Sequence, residues 1–329
     1  MEYIEIFKEM LGSLRADVEK YISGDKKEYL YKKQHTEKWG DTDCNYTNRQ
    51  RLLYGLLYKV CDVAEPDRER IIRELLETEI VSRENESFQG IGENLEMLTY
   101  LMYPYRRKDD EKLFERAKNA NFDCFCGYMH DEPDAYNSYY EKPIDTYSLE
   151  RCIDISGELG LKEFCCRFVD IYKDQVTDIA DYRSLKRYSE YTERREDFTF
   201  AVEGRFKKAL LEKRDSFEMV CAYNDYIELL LEEGKNNEAY LRFNECREYY
   251  SEYGRSAWQI GIRLMQLMPD NAEEIWRFIL PHLKTDIQNN MIALDYCGDV
   301  IKCAEAMGDK AAASAVKRHY DKTMAERLQ

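Results

Sequence analysis

Four histidines, His35, His130, His282 and His319, and eleven cysteines are the chain's stock of neutral-pH bases, thiol nucleophiles and soft metal ligands. Cys124, Cys126 and His130 form a Cys-x-Cys-x3-His cluster. A structural zinc site closes a tetrahedron from separated ligand pairs. This cluster has no second pair, so the two cysteines are expected to pack beneath Phe122 and Phe125. The sequence has no Gly-rich phosphate loop, no HExxH helix and no GxSxG elbow, which leaves phosphate-cradle, zinc-peptidase and nucleophile-elbow chemistry without their residues. Carboxylates are plentiful, 65 in all, and an acid pair in a helical toroid can cleave glycosides. Sugar sites favour tryptophan platforms and glycine-rich loops, however, and there are only three Trp and 15 Gly. No catalytic residue, metal or cofactor is assigned on these grounds.

Arg277 and His282 match the Arg-x4-His spacing with which helical ribonucleases of the HEPN type activate a ribose hydroxyl, but Pro281 directly precedes the histidine. Tyrosine is the unusual aromatic here, with 27 copies. It serves both half-buried helix seams and interfaces. Tyr139 and Tyr140 stand out as interface candidates because they fall in Gly127 to Tyr147, a stretch with Pro133, Pro143 and five tyrosines that cannot be one regular helix.

The elements that position these residues are expected to be helices. Six Pro and 15 Gly are too few for the turns of a sandwich or barrel, and the dominant residues favour helix. Leu52, Leu53, Leu56, Leu57 and Val60 repeat at helical spacing, Pro66 suits a first turn, and Ile71, Ile72, Leu75, Leu76 and Ile80 resume the pattern. Leu95, Leu98 and Leu101 mark another helix, as do Leu113, Phe114 and Ala117. A formal charge of −16 repels phosphate backbones and anionic lipid, so neither nucleic acid nor membrane is an expected partner. Acids near the start, Glu2 and Glu5, argue against a secretory signal, and no apolar run approaches the roughly 18 residues of a span. A cytoplasmic location with mostly reduced, buried cysteines is the expectation.

Gly160, Gly234 and Gly308 fall 74 residues apart, each closing one helical pattern and preceding another. Ile153, Ile227 and Ile301 stand seven residues before them, and Cys165, Ala239 and Ala313 five after. The best copy runs Tyr223, Tyr226, Ile227, Leu230, Gly234, Ala239, Phe243 and Cys246. This pattern resembles the tetratricopeptide repeat, a helix-turn-helix unit of about 34 residues. Seventy-four residues then make two lengthened hairpins, and Phe198, Val202 and Phe206 answer Ala272, Trp276 and Leu280 in the intervening ones. The resemblance covers residues 146 to about 322. It implies an all-α, right-handed superhelix of stacked antiparallel helix pairs, since one hairpin cannot bury its apolar face alone. The expected organisation is an irregular helical region at 1–125, the Tyr-rich acidic loop at 126–147, and the repeats at 148–329.

In tetratricopeptide arrays the first helix of each hairpin lines the concave groove. Carried onto this register, that geometry selects Tyr147, Glu150, Asp154 and Glu158, then Asn224, Glu228 and Glu232, then Asp295, Lys302 and Glu305. This stripe is mostly acidic and reads as unpaired, so a basic protein or peptide would gain steering and contacts there. The expected function is a non-catalytic protein- or peptide-binding scaffold, in a sharper form an inhibitor or immunity-type protein. The alternatives are a helical hydrolase, of ribonuclease or glycoside hydrolase type, and a peptide-sensing regulator.

Overall fold

The computed structural model describes residues 2–87, 89–132, 136 and 139–327. Within the Tyr-rich segment, residues 133–135, 137 and 138 lie outside the described residues. The chain forms two compact units, Met1–Gln175 with Tyr191–Glu193, and Val176–Glu190 with Arg194–Gln329. It is an all-α protein of stacked helix pairs with a single small hairpin of strand among the described residues.

Unit 1 contains α1 (Glu2–Ser13), α2 (Arg15–Ile22), β1 (Lys33–Thr36), β2 (Gly40–Asp43), α3 (Tyr46–Leu57), α4 (Glu65–Asn85), α5 (Glu93–Met102), α6 (Glu111–Lys118), α7 (Phe122–Gly127), α8 (Leu149–Glu158) and α9 (Lys162–Lys173). The apolar spacing read from sequence is the buried face: Leu52, Leu53, Ile71, Ile72, Leu75, Leu76, Ile80, Leu95 and Leu98 have no exposed surface. Pro66 occupies the first turn of α4, where its missing N–H costs nothing. The antiparallel hairpin β1–β2 was not expected from the sequence, because Lys33, Gln34 and His35 are polar, exposed and without alternation. Asp43 anchors it. The Asp43 carboxylate accepts from the backbone N–H groups of Lys32 and Asn45 at 3.0 Å each, and from Arg49 at 2.7 Å.

Unit 2 continues with α10 (Ile179–Thr192), α11 (Arg195–Glu212), α12 (Ser216–Glu232), α13 (Asn236–Cys246), α14 (Gly254–Leu267), α15 (Ala272–Gln288), α16 (Leu294–Ala306) and α17 (Lys310–Arg327). Helices pack on their successors and on the next helix but one: α12 touches α13 and α14, and α14 touches α15 and α16. Their shared core includes Ile227, Phe243, Tyr250, Trp258, Leu264, Ile279, Val300 and Val316.

The three spaced glycines end α8, α12 and α16 in one and the same way. Gly160, Gly234 and Gly308 have φ of 63°, 72° and 71°. In each turn the glycine N–H donates three residues back, to Gly157, Leu231 and Glu305, while the next N–H reaches five back, to Ser156, Leu230 and Ala304. This is the glycine-closed Schellman turn, which satisfies carbonyls that a helix end leaves orphaned. Cys165 and Ala239 have no exposed surface and Ala313 keeps 7%, so the small-residue column sits at tight helix contacts. All eleven cysteines are free thiols, six of them buried. No helix among the described residues is long and apolar enough to cross a membrane.

Candidate functional site

Two clusters of charge in unit 1 differ in kind. Around Arg49, every charge has its answer: the guanidinium, fully buried, meets Asp43 at 2.7 Å and Glu79 at 2.6 Å, both also fully buried. It donates a further bond to the Tyr29 carbonyl at 3.2 Å, and Arg83 lies 3.1 Å from the other Glu79 oxygen. That cluster ties α3, α4 and the hairpin together, its charges balanced within the core.

The second cluster is half-buried and acid-rich. One turn of α3 aims Gln50 and Tyr54 in the same direction, the start of α5 supplies Glu93 and Glu96, and α8 supplies Arg151, Asp154 and Glu158 at spacings of three and four, which share a helix face. Gln50 Nε2 donates to Glu93 Oε2 at 2.8 Å, and the Tyr54 hydroxyl donates to Glu93 Oε1 at 2.9 Å. Arg151 Nη2 reaches Glu93 Oε1 at 3.5 Å and the Tyr54 hydroxyl at 3.4 Å. Its guanidinium lies 4.9 Å from the centre of the Tyr139 ring.

The Glu158 carboxyl is a close neighbour of the Glu93 carboxyl. Partial burial first, then the Glu93 and Asp154 carboxylates, push the Glu158 carboxyl up to about 7, against the opposing pull of Arg151. The residue as a whole keeps an exposed flank while the carboxyl itself is crowded by protein, so water tempers that effect. Burial and Glu93 also raise the Glu96 carboxyl.

Above these acids sit the tyrosines. Tyr139 is 43% exposed and Tyr140 6%. Their rings meet edge to face at 4.9 Å, and Tyr100 lies 5.2 Å from Tyr140. The Tyr140 hydroxyl is buried without a hydrogen-bond partner among the described residues.

The sequence-predicted stripe is only partly assembled. Asp154 and Glu158 join the cluster, Glu150 is exposed on the same helix, and Tyr147 is a core residue. The Tyr147 ring stands edge-on to Phe7 at 5.5 Å and its hydroxyl meets that of Tyr58 at 2.5 Å. In unit 2 the expectation of unpaired acids fails. Glu228 is paired with Arg263, and Glu232 with Arg195 at 2.7 Å. Asn224 accepts from the Tyr250 hydroxyl at 2.6 Å, while Asp295 and Glu305 are exposed and Lys302 faces Asp299 at 3.6 Å.

One other expectation fails. Phe122 and Phe125 are 67% and 59% exposed, so they do not cover the cysteines; Cys124 is buried against the Gly90 carbonyl and Cys126 is open. His130, Glu111 and Asp131 converge closely enough to share a cation, but Arg106 already bonds Glu111 at 2.8 Å and Asp131 at 3.4 Å, supplying that charge. Arg277 pairs with Glu273 on the surface, and His282 packs on Phe278.

Sequence reasoning missed Gln50, Tyr54, Glu93, Glu96 and Arg151. Arg151 had a signal, since it shares a face with Asp154 and Glu158; Glu93 had only the Gly90-Ile91-Gly92 break before its helix. Comparison with protein-family models, curated proteins and solved structures finds no match to this chain.

Proposed function

We propose that this chain is a non-catalytic binding protein on a tetratricopeptide-like helical array, engaging a basic protein or peptide. The observation that carries this reading is the acid-rich cluster of α5 and α8, where Glu93 and Glu158 gather about the Arg151 guanidinium, Glu96 lies beside Glu93, and Asp154 beside Glu158. A cationic partner relieves that crowding, and the overall charge of −16 steers it inward. The glycine turn, repeated with a small residue five positions on, supports the tetratricopeptide-like register. Covering the basic face of a target, as an inhibitor does, is one form of this activity, and a reducing cytoplasm suits the eleven thiols.

Titration calorimetry of the whole chain with a short arginine-rich peptide, beside a glutamate-rich one, tests the reading. Saturable binding of the basic peptide that weakens with added salt is expected. Flat titrations with both peptides at low salt sink it.

A further inference from the structure

We propose that Glu93 and Glu158, with the Tyr139 ring and the Tyr140 hydroxyl beside them, form a socket for one guanidinium or ammonium head of the basic partner. The proposal rests on the binding reading above and gives it a place within unit 1.

The first support is the orphaned phenol. Tyr140 keeps 6% of its surface, yet its hydroxyl has no partner among the described residues. Its ring meets Tyr139, over which lies Arg151, the ion-pair partner of Glu93, so the phenol belongs to the neighbourhood of the acid cluster. A buried polar group left unpaired is costly and calls for an explanation, and an arriving ligand group is one that suits a phenol beside acids. A guest N–H fits, because it can donate to the phenol oxygen and to a carboxylate together.

The second support is the incompleteness of the resident cation. At 3.5 Å, Arg151 gives Glu93 a long contact rather than a forked pair, and its guanidinium also lies over the Tyr139 ring. Tyr139, 43% exposed, leaves much of an aromatic wall open to solvent. An aromatic face beside carboxylates is the environment in which guanidinium and ammonium groups are held.

The groups facing Glu158 are Glu93 from α5, Arg151 and Asp154 from its own helix, and Tyr139. The proton held on Glu158 occupies the place of the guest's charge. On binding, the Glu158 O–H bond breaks, its electron pair stays on the carboxylate to meet the cation, and the proton leaves to water. Nothing is oxidised or reduced.

The test is calorimetry of the full-length chain with the arginine-rich peptide in two buffers of different ionisation enthalpy, at about pH 6 and about pH 8.5, on either side of the Glu158 titration. Close to one proton should be released per peptide at the lower pH and almost none at the higher. Glu158→Gln should abolish the release and weaken binding about tenfold. Tyr139→Ala, at an exposed ring whose loss spares the core, should weaken binding several-fold while the release persists. Salt-dependent binding with no proton release and indifference to both substitutions overturns the socket and leaves the binding reading standing. No binding at all overturns both.

Discussion

At the scale of single residues, two carboxylate settings make opposite demands. Folding raises the Glu158 carboxyl from its ordinary 4.5 to about 7, so between these values the folded chain holds a proton that the unfolded chain has lost. The associated stability is complete below about pH 4.5 and is lost as pH rises through about 7. Glu158→Gln should therefore gain on the wild type in melting temperature as pH increases from about 5 to about 8. Glu86 and Glu96, raised in the same direction, remain to give the variant a residual slope. A constant difference across that range refutes the raised Glu158 carboxyl. Arg49 behaves otherwise, being fully buried between Asp43 and Glu79. Arg49→Leu strands two carboxylates in the core and should cost about 3–5 kcal/mol in urea unfolding; a loss below about 1 kcal/mol would show that water reaches them. Glu158 is legible in the sequence because helical spacing links it to Asp154. Arg49 is not, since its partners lie six and thirty residues away and only folding joins them.

At the scale of elements, helix is legible wherever apolar spacing and an end signal coincide. Ile227, Leu230, Gly234 and Ala239 predict α12, its turn and α13, and the structure supplies the left-handed glycine and the buried alanine. Space is not the constraint at Gly234, where an added Cβ would meet nothing within 4 Å. The backbone is, and Gly234→Val should cost about 1 kcal/mol or more. Ala239→Phe, by overpacking a helix contact with no exposed surface, should cost more, about 1–3 kcal/mol. Thermal melts that coincide with wild type for both variants would refute the register. The hairpin β1–β2 stays illegible because its order comes from Asp43, Arg49 and a Ser87 N–H donating to the Asp41 carbonyl, not from its own polar strands. The same holds for the acid stripe: a first-helix position marks Glu228 and Glu232 as candidates, but Arg263 and Arg195, from other helices, neutralise them.

At the scale of the molecule, the excess of negative charge acts on the rate of encounter. Raising ionic strength from about 10 mM to about 150 mM shortens the screening length from about 30 Å to about 8 Å. The association rate of an arginine-rich peptide, followed by stopped-flow fluorescence, should then fall about tenfold with little change in its dissociation rate. A salt effect confined to dissociation would mean that local contacts, not the field of all 65 acids, bring the peptide in. The repeated glycine turn has a consequence of another kind. The two turn bonds that close α12 recur in the backbone closing α16, so an unequal crossover between the codons of Gly234 and Gly308 would remove or duplicate 74 residues and still leave every helix flanking the junction with a finished end. Length in such a chain can change in whole steps, and its run of helices can be extended or shortened without a new fold having to be found.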